Sequence, residues 1–399
     1  MGRKSIYNIL MYSHDTYGLG HIRRTMAIAS HLRDEYTNIL ILTGSPIVGS
    51  FPLPDQIDFV RIPGMIKKTN DEYVPLSIRI NPTHALDIRK NIIKATAKAF
   101  QPQLFIVDKE PLGLKQEILP TLKWMKRCLP ETRTILGLRD IMDDSKVVRK
   151  DWRERGVYEV MDKLYNEIWV YGVQEFYDPI KEYGIPESIS DKMTFTGYIT
   201  RAIPDSEAVR RARKKIISTK NGEKLVVVTA GGGGDGYAMM SAYLKMLEEK
   251  PNGVPFYSIL VTGPFMPRHE RDDLTERARK RGVKTLHFHR RMEEMLGAAD
   301  LVVSMGGYNT VCEILSQGTN SLIIPRETPR REQLIRAQVL KSQNMADYIP
   351  WNAVNGQSLF QKITEILENP DACRCNIRQF KMTGLDVMSK RLESFRDQE

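Results

Sequence analysis

Twice in this chain a buried strand runs into a glycine loop that opens a helix, once at the start of each half. Ile6 to Tyr12 (IYNILMY) leads into a loop carrying Gly18 and Gly20, then into a helical pattern with Ile22, Met26 and Ala29 on one face. Lys224 to Ala230 (KLVVVTA) leads into Gly231–Gly236, then into a helix of Ala238, Met239, Tyr243 and Leu247. Strand-like runs continue at α/β spacing from Asn38, Phe59, Leu104, Arg133 and Glu167, and again from Ser258, Thr285, Leu301 and Ser321. Helix-length segments such as Ala85–Phe100 and Gly113–Cys128 separate several of them. Alternating buried strands and helices build parallel sheets covered on both faces. One core seldom organises more than about 250–300 residues, so 399 residues imply two such domains. Residues 1–200 form the first Rossmann-like domain and 201–370 the second. The polar tail, 371–399, is expected to be helical and to pack back on the first domain. The segment Arg61–Asn81 has little periodicity and reads as a long loop that shapes a binding site.

Composition removes several function classes. Apolar residues at 41% and charged residues at 27% exclude disorder, collagen and coiled coil as the main architecture. The longest apolar runs, Ile39–Leu42 and Leu225–Val228, are far too short to span a bilayer. The N-terminus enters a strand without a long apolar leader, which reads as a cytoplasmic protein. Cys128, Cys312, Cys373 and Cys375 are too scattered for a disulfide framework or a zinc site. A net charge of +10 favours anionic partners: nucleic acid, anionic lipid or phosphorylated metabolites. Around the basic run Arg210–Lys215 there is no zinc-finger spacing and no RNP-type aromatic pattern, so nucleic acid is not expected. A solvated helix face is its ordinary reading, and peripheral contact with an anionic membrane face the better use of the charge.

The glycine loops carry the chemistry. Glycine lets backbone amides approach an anion, and a helix N-terminus adds free N–H groups and about half a positive charge. Gly231–Gly236 therefore suits a diphosphate, although a plain tight turn would use the same residues. A dehydrogenase-type site is a poorer reading, because no acidic residue clearly ends the next strand to hold a ribose. The second loop, Gly306-Gly307-Tyr308-Asn309-Thr310-Val311-Cys312-Glu313, again runs from strand to helix. It puts Thr310 in the first turn and Glu313 one turn on. Taken alone, Glu313 is equally a helix-start carboxylate favoured by the dipole.

That second loop, followed by Pro325–Gln333 (PRETPRREQ), resembles the nucleotide-sugar site of GT-B glycosyltransferases, and most closely the MurG-like glycosyltransferase family 28. The match lies in a Gly-x-x-Thr-x-x-Glu helix start and a Pro-rich turn ending in Gln. Gly18-Leu19-Gly20-His21 resembles the family's Gly-Gly-His loop, and Phe288-His289-Arg290-Arg291-Met292 its nucleobase-reading segment. Gly197–Arg201 resembles its interdomain linker, and the four-glycine run stands in place of its phosphate loop. The resemblance implies an α/β GT-B fold, two Rossmann-like domains with parallel sheets facing across a cleft. It implies a glycosyltransferase that moves a sugar from a nucleotide-sugar donor to an acceptor hydroxyl with inversion. The donor would be UDP-linked, UDP-N-acetylglucosamine being one candidate, and the acceptor lipid-linked or a saccharide. No metal or other cofactor would be required.

Residue by residue, Glu313 would bind the ribose, His289 and Met292 the base, and Gly232, Gly233 and Gly234 with Gly307 and Thr310 the diphosphate. Gln333 would face the donor sugar. Glu332 departs from the family's paired glutamines, which leaves the sugar open. Arg201 would take up charge on the departing diphosphate. His21 is the candidate base, with Asp108 at the end of a strand to orient it. His14 and Asp15, just after the first strand, are rivals for the same role, in the loop region of Gly18 and Gly20. Two other functions share these features. One is a non-hydrolysing nucleotide-sugar 2-epimerase, against which the Tyr-Asn-Thr-Val-Cys-Glu helix start argues. The other is a nucleotide-sugar-binding partner protein that has lost catalysis.

Overall fold

The computed structural model describes residues 6–15, 20–50, 53–67, 73–217 and 223–398, so Gly18 lies outside the described residues. The chain divides into two compact units, Met1–Ile199 with Thr383–Glu399, and Thr200–Met382. The helix Asp371–Gln379 thus belongs to the second unit, and the returning segment begins at Thr383. No helix among the described residues is long and apolar enough to cross a membrane.

In the first unit the strands are β1 (Tyr7–Ser13), β2 (Thr37–Thr43), β3 (Ile57–Arg61), β4 (Met65–Lys67), β5 (Tyr73–Pro75), β6 (Leu104–Asp108), β7 (Arg133–Arg139), β8 (Glu167–Tyr171) and β9 (Met193–Phe195). Seven of them form one parallel sheet in the order β3-β2-β1-β6-β7-β8-β9. β1 and β6 are apolar on both faces because helices cover both sides: Ile9, Leu10, Phe105 and Val107 are all fully buried. The returning helix Gly384–Arg396 buries Met388, Leu392 and Phe395 on this unit, with Phe395 stacked on Trp169 at 6.5 Å. Each such side chain contributes roughly 1.5–3 kcal/mol of burial. Arg396 pairs with Asp34 at 2.6 Å, and Thr383 Oγ1 donates to the Thr196 carbonyl at 3.0 Å, fixing both ends of the return.

Two sequence expectations shift here. The segment Arg61–Asn81 is not simply a loop, since β4 and β5 form an antiparallel hairpin within it. Its end caps the next helix, Pro82–Phe100, where Asn81 Oδ1 accepts from Thr83 N–H at 2.8 Å. The helix expected from Gly113 starts only at Leu119. Lys115 and Gln116 take left-handed backbone angles (φ 46° and 64°), which an α-helix cannot continue through.

In the second unit β10 (Lys224–Thr229), β11 (Phe256–Val261), β12 (Lys284–Leu286), β13 (Leu301–Ser304), β14 (Ser321–Ile323) and β15 (Asp347–Tyr348) form a parallel sheet ordered β12-β11-β10-β13-β14-β15. The strand expected from Thr285 ends at Leu286, leaving His287 and Phe288 outside the sheet. In each unit the strand order reverses once, at β1/β6 and at β10/β13. Open parallel sheets bind ligands beyond the carboxyl ends of their strands at such a reversal. His14, Asp15 and Asp108 lie at the carboxyl ends of β1 and β6, and Gly231–Gly236 and Gly306–Gly307 at those of β10 and β13.

Candidate functional site

At the β1/β6 reversal, Asp108 ends β6 opposite Gly137 of β7. A Cβ on Gly137 would collide with the Tyr171 phenol, which occupies that space. The Tyr171 ring lies 5.6 Å from the Arg24 guanidinium. The helix Gly20–Leu32 carries His21 and Arg24 three residues apart, on one face. Arg24 Nε donates to Asp108 Oδ1 at 2.9 Å, and Arg24 Nη2 to both oxygens at 2.7 and 2.8 Å. His21 Nδ1 lies 2.5 Å from Asp108 Oδ2.

An ionised carboxylate only accepts, so Nδ1 carries the proton and Nε2 keeps its lone pair. Burial lowers the His21 pKa to about 3, against the opposing pull of the Asp108 charge. Burial also works to raise Asp108, but Arg24 and His21 outweigh it and hold the carboxyl well below its usual range. The result is a neutral imidazole of fixed tautomer whose Nε2 keeps a lone pair that can accept a proton.

A second buried chain ends on His14. Arg89 donates to Glu117 through Nε and Nη2 at 2.6 and 2.5 Å, and through Nη1 to the Pro63 carbonyl at 2.5 Å. Tyr12 Oη donates to Glu117 Oε1 at 2.6 Å and lies 3.3 Å from His14 Nδ1. Because the phenol proton goes to Glu117, His14 Nδ1–H is the donor to Tyr12. The His14 and His21 rings meet edge-on, with centroids 5.6 Å apart. Burial lowers the His14 pKa, and a proton on His21 or the Lys109 charge works in the same direction. Asp15 accepts from Thr43 Oγ1 at 2.5 Å, and burial pushes its carboxyl up to about 7.

The structure therefore brings together His14, Asp15, His21 and Asp108, with Gly20 opening the helix that carries His21. Sequence reading missed Arg24 and the Arg89–Glu117–Tyr12 chain. Both arginines had left a signal. Arg24 lies one turn from His21, and Arg89 interrupts the otherwise apolar stripe Ala85, Ile93 and Ala97.

In the second unit the loop Gly231–Gly236 joins β10 to the helix Tyr237–Glu248. Gly233 has φ 92°, and a Cβ there would collide with the Thr262 carbonyl, so only glycine fits. A Cβ on Gly231 would lie 3.0 Å from Thr310 Oγ1, which places Thr310 against this loop together with Gly232 and Gly234. Gly306 and Gly307 lead from β13 into the helix Tyr308–Gln317, which carries Thr310 and a buried Glu313 one turn apart. Arg201 is tied to the same helix: its N–H donates to Ser316 Oγ at 2.9 Å and Nη2 to Asn309 Oδ1 at 2.6 Å.

Glu332 and Gln333 open the helix Glu332–Ser342 and are both buried. Gln333 Oε1 accepts from Arg326 N–H at 3.0 Å, and Glu332 Oε1 from Arg326 Nη2 at 2.5 Å. The buried Arg336 donates to the Gly306 carbonyl at 3.0 Å and so ties this helix to the second glycine loop. His289 and Met292 lie on the stretch after β12. Its His287 carbonyl accepts from Gly263 N–H at 3.0 Å, and Gly263 packs on Gly231 and Gly232. Two glycine loops, a hydroxyl, a carboxylate and a polar helix start thus converge at β10/β13, the set an extended phosphorylated ligand would need.

Residues 225–392 match the glycosyltransferase family 28 C-terminal domain. The chain has a GT-B fold similar to that of MurG, and its second unit is similar to that domain. Among curated relatives it is 23% identical over 203 residues, 51% of this chain and 55% of the relative, to the UDP-N-acetylglucosamine–N-acetylmuramyl-(pentapeptide) pyrophosphoryl-undecaprenol N-acetylglucosamine transferase of Halalkalibacterium halodurans. The chain spans about half the length of the curated relatives it matches. Among solved GT-B structures, Acinetobacter baumannii MurG superposes with a TM-score of 0.62 at 12% identity, covering 97% of this chain and 99% of that one. A UDP-glucosyltransferase from Polygonum tinctorium gives 0.68 at 11% identity, covering 99% and 100%. At these identities the GT-B likeness speaks for the fold, and the family 28 match for the second unit.

Proposed function

We propose that this chain transfers a sugar from a UDP-linked donor to an acceptor hydroxyl, with inversion and without a metal. The observation that carries the reading is the Arg24–Asp108–His21 chain, which fixes the imidazole tautomer so that Nε2 keeps its lone pair at the strand reversal of the first unit.

In this reading His21 Nε2 takes the acceptor hydroxyl's proton as that oxygen attacks the anomeric carbon. The bond from that carbon to the diphosphate breaks, and UDP leaves with its electron pair. One base and one displacement give inversion. The amides of Gly232, Gly233 and Gly234, the Thr310 hydroxyl and Arg201 take up the charge of the departing diphosphate, so no Lewis acid is called on. Glu313 accepts from the ribose hydroxyls, His289 and Met292 flank the base, Gly307 keeps the second loop open, and Gln333 and Glu332 meet the sugar. UDP-N-acetylglucosamine is the first donor to try, because it is the donor that the curated relatives' names carry. The same names favour a lipid-linked acceptor. With a net charge of +10, peripheral contact with an anionic membrane surface suits such an acceptor.

The test is UDP release from UDP-N-acetylglucosamine in the presence of lipid-linked and saccharide acceptors. His21→Ala should lower kcat by about 10²–10⁴ with donor KM little changed. Glu313→Ala should raise donor KM. Full turnover in His21→Ala would remove His21 as the base.

A further inference from the structure

One feature of the second unit conflicts with its glycine loop. Asp235 places a carboxylate inside Gly231–Gly236, where a bound diphosphate would be repelled by it. The structure shows what answers that charge. Arg326, three residues beyond β14, pairs through Nη1 with Asp235 Oδ2 at 3.2 Å and through Nη2 with Glu332 Oε1 at 2.5 Å. Its Nε is buried and makes no hydrogen bond among the described residues. Its own N–H is held by Gln333 Oε1 at 3.0 Å, so the backbone beneath the guanidinium is fixed.

The two ion pairs differ in kind. The Glu332 side chain is 11% exposed and its bond to Arg326 short, whereas the Asp235 side chain is 46% exposed and its bond long. The Asp235 bond is the one an incoming anion can replace. Guanidinium groups bind phosphate oxygens through charge-assisted N–H bonds, and with Nη2 held by Glu332 the Nη1 hydrogens now facing Asp235 are the ones a phosphate oxygen can take.

We propose that Arg326 is a further donor-binding residue, a diphosphate contact for which Asp235 stands in until the donor arrives. The inference rests on the donor reading above and adds the residue that answers the negative charge of the pyrophosphate. On donor binding, Arg326 exchanges the Asp235 carboxylate for a phosphate oxygen and keeps Glu332. The released Asp235 turns to solvent.

The two side chains then have opposite effects on affinity, which a purely structural clasp cannot produce. Arg326→Gln should weaken UDP by about ten- to hundredfold, the scale of a lost charge-assisted contact. Asp235→Asn removes the competitor and should tighten UDP by about two- to fivefold at low salt, the gain shrinking as salt rises. Uridine, which lacks the phosphates, should respond to neither change.

The experiment is calorimetric titration of the full chain and both variants with UDP, pyrophosphate and uridine, after melting curves confirm that each variant folds. Arg326→Lys keeps the charge and should retain part of the affinity. Opposite shifts for UDP and pyrophosphate, with uridine unmoved, support the exchange. If wild type binds UDP and both variants weaken it, or neither moves it, the exchange is refuted while the donor reading stands. If wild type binds neither UDP nor pyrophosphate, the donor reading falls and takes the exchange with it.

Discussion

Asp108→Asn tests the base most sharply, because it changes one atom of the carboxyl and keeps its shape. In the native chain Asp108 is 4% exposed and accepts three bonds from Arg24 and one from His21. An asparagine can offer Arg24 its carbonyl oxygen, and then its amide nitrogen faces His21. That nitrogen donates to Nδ1, so the ring proton moves to Nε2 and the lone pair that takes the acceptor's proton is gone. Enforcing the wrong histidine tautomer in a comparable triad costs about 10⁴ in kcat, and a loss of ~10³–10⁴ is expected here. Stability falls as well. Arg24 is 1% exposed and loses its counter-charge, and breaking a buried pair by removing one partner costs about 3–5 kcal/mol. The assay is steady-state UDP release alongside UDP titration and urea denaturation, with side-chain ¹⁵N shifts reporting the tautomer. Turnover within about tenfold of wild type, at unchanged UDP affinity, would refute the argument.

Four more outcomes follow from the same geometry. His14 and His21 have folded pKa values below that of the unfolded chain, near 6.5, so stability holds above about pH 7 and falls as pH drops toward 3, with up to one proton's slope for each histidine. Asp15 works in the opposite sense, since its folded pKa of about 7 lies above the unfolded value and its contribution is lost as pH rises from about 4 through 7. Asp15→Asn should therefore gain stability relative to wild type between pH 5 and pH 8 in urea midpoints, and a pH-independent difference would contradict this. Gly233→Ala forces a side chain into the Thr262 carbonyl at φ 92° and should abolish UDP binding while the first unit's tryptophan signal still unfolds cooperatively. Transfer should survive EDTA with no change in rate, and a loss restored by a divalent cation would show that the diphosphate charge is met by metal after all.

The amino-acid pattern made the parallel sheets and both glycine loops legible, because buried strands and strand-to-helix glycines leave local signatures. It also marked His21, Asp108, Thr310 and Glu313, each at a strand end or a helix start. What it hid is set by long-range packing. Nothing near Glu117 in sequence shows that it pairs with Arg89 beneath Tyr12, since those partners lie 28 and 105 residues away. The β4–β5 hairpin was hidden because strands of three residues are too short to display alternation. The late start of the helix at Leu119 depends on left-handed Lys115 and Gln116, residues with no intrinsic preference for that conformation. Nothing local marks Arg326 either, since its partner Asp235 lies in a different loop.

The proposed donor site of the second unit, its glycine loops with Glu313, should respond directly to nucleotide. Its most direct test is the melting temperature of the purified chain with UDP, dTDP, GDP and ADP and their common sugars, repeated on Glu313→Ala. A ligand at 100 times its Kd adds about 2.7 kcal/mol of stability, a readily measured shift. UDP and UDP-sugars should raise the melting temperature, and Glu313→Ala should lose that rise. No response to any nucleotide, or a UDP response that Glu313→Ala leaves intact, would contradict it.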